Sequence, residues 1–572
     1  MNTILKYIYG AALLIVCISP SIQAQTDNPD LQRELNLEKE YSPTLRDVHK
    51  INQLPEIKAP EAPETKVTFS NYTPDYTIPS YYRQLTAKTY FPDFATGNKK
   101  GYLDWGISSS INIDADLGYQ ILNSAEDRLS IFGSHRSSNS NVTYLQKNGS
   151  GDEKQKMKFN DNLAGINYLH HLGTAKLLAD AQYTHSAFNY YGLPVFSTES
   201  AARNNYAGEN QKNNLFQTHI GIESVDKEEI SYKANLIYTL FKQKYGETKA
   251  IAGRTENRIM ADFDLFAKFI GIAGSIKNYS YRVPEKTGDK SDYATFSFNP
   301  YLIFGDEDRN IRLGIKANLQ AGEIKKFMIA PDIHFNWRSP KNLLFYLSAK
   351  GGIKDNSNYD LYYENRYVDP LCRIYDSKSP FDGTAGVRFS PLPNLGIDLF
   401  TGYKWVRDEH FFYSKRSLSV PQYAHAQIFK IGGAVKYACY DIFDLGLKLI
   451  YQKWNVSELS NIIAHEEPPY KLEAWNKPAF TGDLNIGLNV STIPFRIDLT
   501  YHLEAGRKAL FDFNETNRMK NIHDLNVKGN YAINDAFSVF VKINNLFFQK
   551  YDLWYGYPAQ NFNIMGGIRF KF

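Results

Sequence analysis

Apolar and polar residues alternate along much of this chain. At the C-terminus Phe562, Ile564, Gly566, Ile568, Phe570 and Phe572 fall on one face of an extended strand, and Asn563, Met565, Gly567, Arg569 and Lys571 on the other. Successive strand side chains point to opposite faces, so a period of two separates an apolar face from a polar one. The same pattern recurs upstream. Leu525, Val527, Gly529 and Tyr531 alternate with Asp524, Asn526, Lys528 and Asn530; Phe495, Ile497, Leu499, Tyr501 and Leu503 with Arg496, Asp498, Thr500 and His502; Leu484, Ile486, Leu488 and Val490 with Asp483, Asn485, Gly487 and Asn489. Strands in soluble sandwiches run about five or six residues. These run about ten, the length a tilted strand needs to cross a bilayer.

The connections alternate as well. Short ones are expected at Asn534-Asp535, Thr492-Ile493-Pro494, Cys439-Tyr440-Asp441, Pro391-Leu392-Pro393-Asn394, Ser339-Pro340-Lys341 and Asp306-Glu307-Asp308-Arg309. Between them lie long ones at 547–561, 506–522, 456–478, 408–422 and 353–380. Further turns are expected near Phe269-Ile270-Gly271, Asp226-Lys227-Glu228, His171-Leu172-Gly173 and Ser124-Ala125-Glu126, with a first strand from about Gly101. Short periplasmic turns alternating with long outer loops are the pattern of an outer-membrane barrel. The expectation is an all-β, transmembrane antiparallel β-barrel of about 22 strands over residues 97–572, with both ends on the periplasmic side. A barrel that wide needs something to fill its lumen.

Composition fits this picture. A mean hydropathy of −0.43 resembles a soluble protein, but only alternate barrel residues face lipid. With 41 Tyr and 36 Phe, aromatic residues reach 15% of the chain, as interfacial girdles would require. The net charge of +4 gives no case for nucleic acid. No apolar run after residue 24 is long enough for a helical span.

The first residues read as a signal peptide, 1–24. Lys6 precedes the apolar run Ala11 to Val16, and cleavage is expected between Ala24 and Gln25. Val16 before Cys17 argues against lipidation there. Cys372 and Cys439 then remain, too few and too distant for a disulfide framework. Residues 25–96 differ in composition, carrying Pro29, Pro43, Pro55, Pro60, Pro63, Pro74, Pro79 and Pro92. Such a leader cannot bury a core of its own. It is expected to be a short Pro-rich periplasmic segment that either stays a tail, inserts into the lumen or docks a partner.

The stretch Val539-Phe540-Val541-Lys542-Ile543-Asn544-Asn545-Leu546-Phe547, followed by Lys550-Tyr551 and Trp554-Tyr555-Gly556-Tyr557-Pro558, resembles the end of TonB-dependent outer-membrane receptors. So does Gly566-Gly567-Ile568-Arg569-Phe570-Lys571-Phe572. The resemblance implies a receptor barrel inserted among outer-membrane lipids by the barrel-assembly machinery, with Phe570 and Phe572 as the assembly signal. It implies uptake or transport of a ligand across the outer membrane, with a TonB-type periplasmic partner or a surface lipoprotein. The family carries a plug of over a hundred residues ahead of the barrel, and residues 25–96 do not resemble it. Thr65-Lys66-Val67-Thr68-Phe69 is similar to the short segment that would pair with such a partner's sheet edge. The departure leaves an alternative: a plugless structural or assembly-type barrel, a subunit of an outer-membrane complex.

Candidate chemistry is sparse. His170 and His171 are adjacent on a strand and point to opposite faces, unsuited to one metal ion. Asp306-Glu307-Asp308 lacks the glycine-bearing loop of a calcium site. There is no G-x-S-x-G nucleophile, and a His502/Asp498 pair on one lumen face is an ordinary barrel feature. No catalytic residue, metal or cofactor is assigned, and an enzyme is not expected. Aromatic residues of the outer loops are the candidate ligand or partner surface: Tyr470, Trp475, Trp554, Tyr555 and Tyr557, with Tyr359, Tyr362, Tyr363, Tyr367 and Tyr375 in a further aromatic loop.

Overall fold

The computed structural model describes residues 99–572, apart from 146–153, 193–209, 226–229, 247–248, 284–291, 307, 324, 340–341, 393, 416, 440–441, 461–470, 491 and 512–514. The signal peptide, the cleavage pair Ala24 and Gln25, the leader, Glu307 and Tyr470 lie outside the described residues.

Backbone pairing closes a single antiparallel ring of 22 strands. The first strand, Gly101–Ser108, pairs with the last, Asn563–Lys571, from Tyr102 opposite Lys571 to Ser108 opposite Met565. Phe572 completes the seam: its carbonyl accepts from Lys100 and Gly101 N–H at 2.7 and 2.8 Å. Both ends of the barrel therefore lie on one side, as an even strand number requires.

Alternation produces the lipid face. Leu103, Trp105 and Ile107 on the first strand, Phe296 and Phe298, Ile315 and Leu319, Phe327 and Ile329, Leu449 and Tyr451, and Ile564 and Phe570 on the last all remain exposed. Large apolar groups left outward in this way around a ring are stable only against hydrocarbon. The lumen face carries the polar partners, such as Arg569 paired to Asp104 at 2.6 and 2.7 Å and Arg388 to Asp398 at 2.9 Å.

The expected short turns recur at 124–126, 172–174, 268–269, 492–494 and 533–536, and about Asp306 and Asp308. They are made locally. Asn534 Oδ1 accepts from Ala536 and Phe537 N–H at 2.8 and 2.9 Å, and Asp306 Oδ1 from Asp308 and Arg309 N–H at 2.9 and 2.8 Å. These two bonds hold the Asp306 carboxyl below its usual range. Asp306 is thus an Asx-type turn residue.

One expected loop is not a loop. Residues 408–422 belong to a tall hairpin, Leu395–Lys415 and Leu418–Cys439, whose strands are 21 and 22 residues long. Near its tip Ser417 takes a φ of 66°. The expected loop 353–380 narrows to 355–376, and it contains helix α1, Asn358–Glu364. The connection at 109–112 is short although it is an outer one.

Candidate functional site

The outer end of the barrel is crossed by its own loops. The 355–376 loop is held to the lumen wall at many points. Near its start, the Asp355 carboxylate accepts from Thr295 Oγ1 at 2.7 Å and pairs with Lys277 at 3.3 Å. Near its end, Asp376 accepts from Gln320 Nε2 at 2.7 Å and from Asn356 N–H at 3.0 Å, and Lys326 stands 3.7 Å away. Between them α1 starts at Ser357, whose side chain accepts from Asp360 N–H. The Glu256 carboxylate, from the barrel wall, accepts from Asn358 and Tyr359 N–H at 2.7 and 3.3 Å. A helix N-terminus has free N–H groups and a partial positive charge, so a wall carboxylate there both caps and anchors it. Arg366 reaches Asp161 at 2.6 Å, and Glu364 bonds His410 at 2.6 Å and Lys477 at 2.5 Å.

Apolar packing completes the cap. Leu361, Tyr362, Tyr367 and Val368 of the loop join Val142, Phe188, Tyr191, Leu215 and Phe241 of the wall, Phe412 and Leu418 of the tall hairpin, and Trp554 and Tyr557 of the last loop in one buried cluster. Tyr367 stacks on Tyr557 at 3.9 Å, and Tyr557 meets Tyr191 edge-on at 5.1 Å. The Tyr557 hydroxyl donates to the Ser417 carbonyl, and the Tyr191 hydroxyl to the Pro558 carbonyl at 3.2 Å. Val368 pairs in backbone fashion with Ser419.

The tall hairpin lies between two layers. Phe412 faces the cluster just described, whereas Phe411 and Tyr413 face a second one with Trp475 and Leu510. Every residue from Glu409 to Ser414 is buried, which an ordinary half-exposed strand never shows. A bulge between Val406 and Glu409, with Asp408 at φ 61°, marks where the strand bends.

The named aromatic residues that the structure describes fall on the cap loops. Trp475 is fully buried, T-shaped to Phe411 at 6.5 Å, and the neighbouring Asn476 donates to the Phe412 carbonyl at 2.7 Å. Trp554 meets Phe412 edge-on at 5.1 Å. Tyr555 packs on Phe511, and its carbonyl accepts from Ser414 Oγ at 2.9 Å. Tyr375 and Tyr423 form a T-shaped pair. Of the named aromatics with stated burial, Tyr363 is among the most open, and it lines the lumen with Tyr359. Phe570 and Phe572 stand outward at the turn-side rim, with their rings stacked at 5.6 Å.

His502 does not bond Asp498; its Nδ1 meets Asp483 at 2.7 Å and its Nε2 meets Glu504 at 3.4 Å, while Asp498 accepts from Arg496. Asp483 comes from the neighbouring strand, so a single strand's spacing does not reveal it, whereas Glu504 lies two residues along His502's own strand. His170 bonds Asp127 at 2.8 Å. Among the described residues no group of three or more His, Cys, Asp or Glu side chains is arranged for a metal ion.

Beneath the cap lies a cavity of about 2060 Å³. It runs from the underside of the loop, at Tyr359, Tyr363 and Arg366, down to Asn534, Asp535 and Ala536 of a short turn. Charged side chains, among them Asp104, Arg136, Lys528, Lys542 and Arg569, share its wall with aromatic and aliphatic ones, and it follows the strands on either side of the seam. Sequence reasoning missed the anchors of the cap: Glu256, Asp355, Glu364, Asp376, His410 and Lys477. The one local signal was the unbroken run Phe411-Phe412-Tyr413, which violates the alternation of a one-sided strand.

No family model and no curated protein matches the sequence. Solved structures do match. The chain superposes on the FrpB iron transporter from Neisseria meningitidis with TM-score 0.62 at 10% identity, over 83% of this chain and 82% of that one. It superposes on the ferric enterobactin receptor PfeA from Pseudomonas aeruginosa with TM-score 0.59 at 10% identity, over 83% and 80%. The siderophore receptor PiuA from Acinetobacter baumannii gives TM-score 0.59 at 10% identity, over 83% and 82%. The barrel fold implied by the C-terminal motif is therefore the fold observed.

Proposed function

We propose that this protein is an outer-membrane uptake barrel whose lumen is gated at the outer mouth by its own 355–376 loop and tall hairpin. The observation that carries the reading is the stack of buried aromatic rings across the mouth, with a charged cavity directly beneath it. A 22-strand lumen is wide enough to pass a solute once the stack parts. The likeness in fold to proteins named as iron transporters and siderophore receptors supports import over a scaffold role. The outer aromatic residues, including Trp475, Trp554, Tyr555 and Tyr557, then act as the packing of the gate that a ligand must rearrange, with Tyr470 beside them in sequence. The leader, residues 25–96, serves as the contact for a TonB-type periplasmic partner. Phe570 and Phe572 serve as the signal read by the assembly machinery.

The test is conductance. In planar bilayers the purified protein is expected to be silent. A variant with 356–375 replaced by a short Gly-Ser linker is expected to give large, steady currents and to admit large antibiotics into cells that carry it. A silent linker variant that is correctly folded would overturn the gate.

A further inference from the structure

One stretch of the cavity wall sets two lysines side by side, Lys542 with Asp114 as its carboxylate partner and Lys528 with none among the described residues. It lies on Ile522–Ala532 and Phe537–Asn544, next to the last strand. Lys528 and Lys542 stand directly opposite each other in the pairing of these two strands, and both face the cavity. Like charges directly opposed across a ladder are destabilising. Phe540 holds them: the two ammonium groups lie 5.3 and 5.4 Å from its ring centroid. The ring is itself seated against Gly567 and Gly106, which face each other across the seam, and a side chain at Gly567 would collide with it. Two glycines, a flattened aromatic ring and two lysines thus form one unit.

The nearby carboxylates are already committed. Asp104 takes Arg569 through both oxygens. Asp116 takes Arg136 at 2.5 Å. Asp114 lies 3.4 Å from Lys542 and 3.8 Å from Arg136. Asp498 is paired across the ladder with Lys528, but its carboxylate accepts from Arg496 Nε at 2.7 Å. Among the described residues, no carboxylate lies within ion-pair distance of Lys528. Asn530, opposite Phe540, adds a carboxamide to the same patch.

We infer that Lys528 and Lys542, with Phe540 between them, form a lumen site for a carboxylate- or phosphate-bearing solute. Two ammonium groups beside one aromatic ring suit a small polyanion, which would remove the repulsion between them. This rests on the uptake reading only in treating the bound anion as cargo.

The test is calorimetric titration of the purified full chain in detergent micelles at low salt, with citrate, pyrophosphate and neutral sucrose as probes. Saturable binding of citrate or pyrophosphate, but not sucrose, is expected, and preference between the two assigns carboxylate or phosphate cargo. K528Q/K542Q should bind at least tenfold more weakly, and K528R/K542R should stay within about threefold of the parent. Arg388→Gln, six strands away around the wall, should change nothing. The heat-modifiable gel shift reports folding of each variant; if the double variant does not fold, K528Q alone must weaken binding. No saturable anion binding by the folded parent, or equal binding by a folded lysine variant, would overturn the site. Anion binding that persists while the loop-replaced variant passes no current would sink the uptake reading and leave the site standing.

Discussion

Glu364 decides how firmly the cap is held. Burial works to raise its carboxyl, but the Lys477 ammonium and the His410 imidazole beside it override that and hold it well below the usual range. The sign follows. A depressed carboxyl stabilises the folded cap fully above its ordinary value, about pH 4.3, and loses that contribution only as pH falls further. Protection factors of the α1 amides, exchange rates taken relative to the unstructured chain at the same pH, should therefore be flat from pH 7 to about pH 5 and fall in stronger acid. E364Q should lose the protection at neutral pH, because it leaves the half-buried Lys477 ammonium without its counter-charge, a change of about 3 kcal/mol. Unchanged exchange in E364Q would remove Glu364 as an anchor. Trp554→Ala, which empties a fully buried position against Phe412, should cost the cap about 3–5 kcal/mol, read as early proteolysis of the outer loops with the barrel intact.

At the scale of elements, the 355–376 loop and the tall hairpin meet through the backbone pair of Val368 and Ser419. Paired backbones of this kind lie within the span of a disulfide. V368C/S419C should cross-link on oxidation, seen as a mobility shift. If uptake needs the stack to part, the oxidised form should stop transport and a reductant should restore it; transport that continues through the cross-linked form argues for another path. The seam is a second element-level test. Its strands are among the shorter ones in the wall, 8 residues at Gly101–Ser108 and 9 at Asn563–Lys571. Gly567→Ala would push against both Phe540 and the Trp105 carbonyl. Overpacking typically costs about 1–3 kcal/mol, and here it should lower the fraction of chains that show the heat-modifiable shift.

For the whole molecule, the exposed apolar belt and the polar lumen require a bilayer. The protein should sediment with outer membranes and migrate faster unboiled than boiled; recovery in the soluble fraction would contradict the barrel. Removing residues 25–96 should leave that behaviour intact while stripping periplasmic partners from affinity-purified material. A partner set unchanged by the deletion would end the docking role of the leader.

The sequence by itself determined the lattice of the barrel. A period of two set which residues face lipid, and Asn534 and Asp306 marked turns through bonds within three residues of themselves. Those signals are local, so one strand at a time carries them. The strand number followed, because turns and strands simply had to be counted. Only the tertiary structure decided what covers the mouth. Glu256 meets Asn358, Asp161 meets Arg366, and Lys277 meets Asp355 across separations that no periodicity encodes. The tall hairpin was misread as a loop for the same reason. Its tip is buried on both faces, so its consecutive aromatics look irregular until the layers above and below them are in place. Lys528 and Lys542 likewise became a pair only when strand register set them opposite each other.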